Sequence, residues 1–227
     1  MDAIVRSPLR RSPLSIVVMG VSSCGKSTIG KAIAEKLDIP FEDGDSYHPE
    51  ANIAKMKSGA CVHFPSWPPF EHTCFDSGPY IPDTSYNQGL PLDDYDRKEW
   101  LVILSKLLSN KVAEGTGVVV ACSALKVSYR NLLRELHGND DEKVVHFVFI
   151  KGSFELMEKR IKARTGHFMP PSLLKSQFDT LQEPVLGEVG DVGLPEGALV
   201  TVDAEWDVPT SASYAAHLLS PLQLAQS

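Results

Sequence analysis

The chain has 227 residues, of which 43% are hydrophobic and 22% are charged, a balance typical of a globular domain with a sizeable core. The formal net charge of −7 argues against nucleic acid as the main partner, because no bulk positive field attracts phosphates. No apolar run approaches the ~20 residues that a membrane span needs, so we expect no membrane partner.

The N-terminal segment and the cysteines bear on location. Residues 1–14 carry three arginines among serines and prolines. We interpret them as a disordered leader; a targeting sequence is the alternative, but the segment lacks a secretory apolar stretch and its prolines break an amphipathic helix. The four cysteines include no C-x-x-C pair, so we expect neither a zinc site nor a disulfide framework, and a reducing, cytoplasmic setting.

A phosphate-binding motif follows the first predicted strand, at 16–19. Residues 20–27 have the pattern G-x-x-x-x-G-K-S, and apolar residues at helical spacing follow, which makes a chance match on a glycine-containing turn the weaker interpretation. Lys26 would reach the β- and γ-phosphates, and Ser27 would hold Mg²⁺. The predicted ATP-binding residues are Gly20, Val21, Ser22, Ser23, Cys24, Gly25, Lys26, Ser27 and Thr28.

Strand and helix patterns alternate along the rest of the chain. Further strands are predicted from Phe41 and at 117–122, 144–150 and 198–202. Helices are predicted at 49–57, 123–136, 154–164 and 211–219. Two more helices are predicted, one from Asp93 or Asp94 to near Gly115 and a short one that ends at Leu181. This order predicts a three-layer α/β fold with a five-stranded parallel sheet flanked by helices. Ligands of such folds collect at the carboxyl ends of the strands.

Two carboxylates follow the second predicted strand. Asp45 is the candidate base that accepts a proton from a substrate hydroxyl, and Asp43 is the candidate carboxylate for Mg²⁺, since no aspartate follows the third strand. The alternative is that one of them caps the next helix. His48 is open between a turn residue and a substrate contact.

Cationic residues mark two further places. Ser123 and Lys126 open the helix predicted after the third strand, with Arg130 one turn later; an anion site and a solvated basic face are both open. Arg160, Arg164 and His167 lie at a helix end and in the following loop. The two arginines could belong to a lid that neutralises the charge of the transferred phosphoryl group. Alternatively, they are cations that stabilise the negative C-terminal end of a helix.

Taken together, these residues resemble the gluconokinase family of P-loop carbohydrate kinases, which phosphorylate D-gluconate at its 6-hydroxyl. The resemblance covers nearly all of 15–59 and 89–205. Its most specific segments are Cys122 to Lys126 and Gly166 to Met169. The other matching segments are 19–28, 41–50, 52–59, 90–101, 129–130 and 177–184.

The resemblance implies the fold of the nucleoside-monophosphate and shikimate kinases, with a lid, and ATP and Mg²⁺ as cofactors. It implies D-gluconate as substrate, a product that enters the pentose phosphate pathway, and a homodimer. The residues it places around gluconate are Asp45, His48, Arg97, Lys126 and Arg130, and it makes Arg160 and Arg164 the lid arginines. We add Ser123 and His167 as candidate substrate-binding residues, and the candidate catalytic residues are Lys26, Asp45, Arg160 and Arg164. A guanidinium such as that of Arg97 suits the gluconate carboxylate because it can bind both oxygens.

One long segment departs from the family pattern. Residues 60–88 hold five prolines and six aromatic residues but no lysine or arginine, and no helical or strand period survives so many prolines. We therefore predict a single kinase domain, 15–227, with an irregular insertion. The insertion is open between a surface excursion, an interaction loop and a change that damages the site.

Two rival functions follow from the same residues. A shikimate kinase would have a Gly-Gly-Gly run after the third strand, where this chain has Cys-Ser-Ala-Leu-Lys. A catalytically impaired ATP-binding protein, whose insertion disrupts the sugar-acid site or serves a partner, would bind ATP and ignore gluconate.

Overall fold

The computed structural model describes residues 13–53, 92–135, 144–163, 171–185 and 198–224. The strands are β1 (Ser15–Met19), β2 (Phe41–Asp43), β3 (Val118–Ala121), β4 (Val145–Lys151) and β5 (Leu199–Asp203). The helices are α1 (Lys26–Leu37), α2 (Asp94–Ala113), α3 (Val127–Glu135), α4 (Phe154–Ala163), α5 (Pro171–Thr180) and α6 (Val208–Leu224). A 3₁₀ turn covers Gly44–Tyr47, and residues 50–53 are helical.

The five strands form one parallel sheet in the order β2-β3-β1-β4-β5. At its centre Val17 of β1 is paired with Val120 of β3 on one side and with Phe147 of β4 on the other. The predicted five-stranded parallel sheet is therefore confirmed. Because all strands run the same way, the loops that follow β1, β2 and β3 emerge at the same edge of the sheet.

Apolar layers cover both faces of the sheet. Side chains of successive residues in a strand point to opposite faces, so Ile16 and Val18 belong to one core and Val17 and Met19 to the other. The first core includes the apolar faces of α1 and α6, and the second includes Leu104 and other buried residues of α2. Burial on both faces explains why β1 and β3 have continuous apolar sequences.

Several predicted boundaries need correction. The helix predicted at 123–136 begins only at Val127, because Ala124 takes a left-handed φ of 44° that no helix accommodates. Leu14, the last residue of the predicted leader, is buried and its carbonyl accepts the Val118 N–H at 2.8 Å, while the leader itself stays a prediction. Asp93 is the cap of α2, in a reciprocal capping box with Asp96.

Several predictions lie outside the described residues: the insertion at 60–88, most of the segment 1–14, and the lid residues Arg164 and His167. Among the residues that the structure does describe, no helix combines the length and the apolarity needed to cross a membrane.

Candidate active site

The loop between β1 and α1 has the backbone that phosphate binding requires. Gly20 and Gly25 have φ values of 145° and 105°, in a region that residues other than glycine rarely adopt. A Cβ on Gly20 would also lie 2.9 Å from both Cys24 Sγ and Ile150 O, so the turn has no room for one. Lys26 Nζ donates to Val21 O at 2.8 Å, which holds the ammonium group against the loop.

Ser27 and Asp43 come together at the base of this loop. Ser27 Oγ donates to Asp43 Oδ2 at 2.9 Å. Adjacent ligands of an octahedral Mg²⁺, each 2.0–2.1 Å from the ion, are themselves about 2.9 Å apart, so the two oxygens fit this ion. In the described part of the chain no cluster of three or more His, Cys, Asp or Glu side chains could hold a metal. Mg²⁺ usually completes its coordination with phosphate oxygens and water.

Asp45 stands just past β2 in a tightly packed turn. Asp43 Oδ1 accepts the Asp45 N–H at 3.2 Å, so Asp43 caps the 3₁₀ turn, while the metal role assigned to it stays a prediction. A Cβ on Gly44 would collide with Ala121 O of β3, and Trp100 Nε1 donates to Gly44 O at 2.7 Å. These contacts fix the backbone beneath Asp45, whose own side chain is exposed.

His48 is stacked on Trp100 of α2, with ring centroids 4.2 Å apart. Burial lowers its pKa, while the nearby charge of Asp45 opposes the shift. Its Nδ1 is buried, and no residue in the described part of the chain gives it a hydrogen-bond partner. Since a buried polar atom without a partner is costly, this nitrogen is suited to a ligand hydroxyl.

The end of β3 lies among these groups. Burial raises the pKa of Cys122 to about 12, and the charges of Asp45, Lys26 and Arg97 all act on this thiol. The next residue, Ser123, accepts the Gly20 N–H with its carbonyl at 3.3 Å, which joins the loop after β3 to the phosphate-binding loop.

A cleft of about 580 Å³ lies beside α2 and α3. Lys126 Nζ donates to both carboxylate oxygens of Asp94 at 2.7 and 2.8 Å, and Tyr129 OH donates to the same carboxylate. The hydrogen bond from Lys126 lowers the pKa of Asp94. The pKa of Tyr129 is raised, mainly by burial and secondly by its hydrogen bond to Asp94. The remaining lining side chains are Leu92, Asp93, Tyr95, Arg97, Ser176 and Thr180.

Arg130 is fully buried, which excludes the solvated basic face considered for it. Its Nη1 donates to the carbonyl oxygens of Ala124 and Leu125 at 2.9 and 3.3 Å. These bonds hold the loop between β3 and α3 in its left-handed turn. The substrate contact assigned to Arg130 stays a prediction.

Arg160 reaches back from α4 to the phosphate-binding loop. Its guanidinium donates to the carbonyls of Ser23 and Cys24, at 3.5 and 3.1 Å, and to Ala204 O beyond β5. It thus ties the loop to the far strand of the sheet. Its predicted catalytic role stays a prediction.

Two residues that contact the predicted site residues, Asp94 and Trp100, received no site role from the sequence. Both lie in the segment 90–101 that carries the family resemblance, which was the available signal. Their contacts with Lys126 and with His48 and Gly44 join residues far apart in the chain.

Comparison with known proteins connects this geometry to a family. No protein-family model matches the chain. A rat protein named "Probable gluconokinase" is 37% identical over 211 residues, which cover 85% of this chain and 98% of the rat protein. The chain belongs to the gluconokinase family. The "Thermoresistant gluconokinase" of Escherichia coli strain K12 is 39% identical over 173 residues, 74% of this chain and 76% of that protein.

Solved structures agree with this family. A crystal structure of a gluconokinase from Sinorhizobium meliloti 1021 has a TM-score of 0.66 and 37% sequence identity, and the match covers 96% of this chain and 97% of the other. The chain is therefore a kinase with the P-loop nucleotide-binding fold, as the sequence predicted.

Proposed function

We propose that this protein transfers the γ-phosphoryl group of ATP to the 6-hydroxyl of D-gluconate in the presence of Mg²⁺. The observation that carries the proposal is the family membership, because the match to a gluconokinase of solved structure covers 96% of this chain. The backbone of the phosphate-binding loop, with Lys26 Nζ held against it at 2.8 Å, supports nucleotide binding independently.

The nucleotide would bind along the loop before α1. Loop N–H groups and Lys26 would take phosphate oxygens, and the helix N-terminus would add its positive end. Ser27 and Asp43 would hold Mg²⁺, which when bound neutralises charge on the β- and γ-phosphates. Arg160 and Arg164 would supply positive charge that stabilises the negative charge spreading over the transferred phosphoryl group.

Gluconate would bind at the neighbouring carboxyl ends of β2 and β3. Asp45 would accept the proton as the hydroxyl oxygen bonds to the γ-phosphorus and the bond to the β-phosphate breaks, releasing ADP. His48 Nδ1, which is buried and has no hydrogen-bond partner among the described residues, would bond a substrate hydroxyl. Arg97 and Lys126, which line one cleft, would hold the carboxylate, with Ser123, Arg130 and His167 completing the predicted site.

Thermal unfolding of the full chain with separate ligands tests this proposal against a protein that only binds nucleotide. A ligand at 100 times its dissociation constant adds about 2.7 kcal/mol to the free energy of unfolding. We expect gluconate and ATP each to raise the melting temperature, and glucose and shikimate to leave it unchanged. A response to ATP with none to gluconate would favour the impaired ATP-binding alternative.

From the family resemblance we also propose a cytoplasmic homodimer. Light scattering of the purified chain should give twice the monomer mass of 24.9 kDa, and the monomer mass itself would contradict the dimer.

A further inference from the structure

Gln177 of α5 contacts the phosphate-binding loop, and no role has been assigned to it so far. The Ser22 N–H donates to Gln177 Oε1 at 2.6 Å, between residues 155 positions apart in the chain. A backbone N–H can only donate, so the atom that it meets must be the amide oxygen. The orientation of the carboxamide is thereby fixed, and its Nε2 is a second polar group at the same place.

Ser22 is the neighbour of the loop residue that holds the phosphate-binding lysine. It is the third residue of the G-x-x-x-x-G-K-S motif, and its neighbour Val21 accepts the Lys26 ammonium at 2.8 Å. In this motif the lysine is the side chain that reaches the β- and γ-phosphates. The carboxamide of Gln177 is therefore bonded to the loop residue next to the one that holds the Lys26 ammonium.

Helix α5 is anchored, so the position of Gln177 is defined by the fold. Leu174 is fully buried. Beyond the helix, the Gln182 N–H donates to Leu125 O at 2.9 Å, and Gln182 Oε1 accepts the Val127 N–H at 2.7 Å. These bonds attach the end of α5 to the loop after β3, which itself contacts Gly20.

We infer that Gln177 is a nucleotide-binding residue that fixes the phosphate-binding loop through Oε1 and donates from Nε2 to the terminal phosphate of ATP. The inference rests on the proposed function for the identity of the nucleotide. It predicts that Gln177 distinguishes ATP from ADP, because the diphosphate lacks the group that Nε2 contacts.

Two substitutions separate this role from a structural one. Gln177→Leu removes both polar atoms at similar size, whereas Gln177→Glu keeps an acceptor for the Ser22 N–H and replaces the donor with a charged oxygen. Lys175→Ala is the control, since Lys175 lies on the same helix with a side chain 70% exposed. Calorimetric titration of each full-length variant with ATP and with ADP, in Mg²⁺ and without gluconate, gives the dissociation constants.

We expect Gln177→Leu to weaken ATP binding about tenfold and ADP binding by less than about threefold. Gln177→Glu should keep the wild-type melting temperature and weaken ATP binding at least as much, because its charge repels the phosphate. Lys175→Ala should match the wild type. Equal losses for ATP and ADP, or wild-type ATP affinity in either Gln177 variant, would overturn the inference.

This experiment is independent of the sugar-acid assignment. If wild-type protein binds ATP but fails to phosphorylate gluconate, the proposed function fails while the affinity differences still test Gln177. If the wild type phosphorylates gluconate and the Gln177 variants bind ATP normally, only the inference about Gln177 fails.

Discussion

Replacing Asp43 by Asn removes one charge from the proposed metal site and keeps the shape of the side chain. Asp43 Oδ2 accepts from Ser27 Oγ at 2.9 Å, and Oδ1 accepts the Asp45 N–H at 3.2 Å. Asn retains an oxygen for the Asp45 N–H, and Asn and Asp are about equally good caps. We therefore expect the free energy of unfolding to change by less than about 1 kcal/mol.

The effect of Asp43→Asn on Mg²⁺-dependent activity should be much larger. Mg²⁺ prefers charged oxygen ligands, and removing a carboxylate beside a metal typically costs 10- to 100-fold in metal affinity or activity. We expect kcat/KM for ATP at limiting Mg²⁺ to fall by about that factor, and excess Mg²⁺ to restore part of it. The dissociation constant of ATP measured with a chelator should stay within about twofold of wild type, since no metal is then bound.

The assay is ADP release as a function of free Mg²⁺, beside ATP titrations in chelator. Asp38→Asn is the matched control: it removes the same charge at the far end of α1, where the left-handed φ of 57° suits Asn as well as Asp. An Asp43→Asn protein with the Mg²⁺ dependence of the Asp38→Asn protein would refute the metal assignment.

Two further predictions concern buried groups. Arg130→Met should lower the free energy of unfolding in urea by about 1–3 kcal/mol, because the Ala124 and Leu125 carbonyls lose a buried donor; an unchanged urea midpoint would contradict this. Burial lowers the pKa of His146 from 6.5 to about 4, so the unfolded chain takes up this proton first as pH falls. The contribution of His146 to the free energy of unfolding is therefore fully present above pH 6.5, and it falls by about 3 kcal/mol as the pH is lowered towards 4. His146→Asn, whose oxygen can still accept the Ala198 N–H, should remove that loss; an unchanged pH dependence of the urea midpoint would argue against it.

Local sequence patterns predicted the sheet and the position of the phosphate-binding loop. β1 and β3 are continuous apolar runs, and the glycine spacing of the loop is itself the motif. The start of α3 was wrong because Ala124, a good helix former, takes a left-handed φ of 44°. That turn is stabilised by Arg130 and by Gln182, and the Gln182 contact comes from more than fifty residues further along the chain.

Contacts between distant segments were the other part that sequence could not predict. Lys126 and Asp94 are 32 residues apart, and Ser22 and Gln177 are 155 apart. Each residue was visible in a motif, but which side chains meet depends on how α2 and α5 pack. Trp100 shows the same limit, since its N–H bond to Gly44 depends on the turn after β2.

The most direct test of the account is gluconate-dependent ADP release by the full 227-residue chain, beside Asp45→Asn. The account predicts that wild-type protein releases ADP only when gluconate is present. It also predicts that Asp45→Asn loses about 100-fold or more of kcat, as removal of a general base does, while binding ATP normally. If the wild-type protein releases no ADP with gluconate, or releases it equally fast without gluconate, the proposed gluconokinase activity is contradicted.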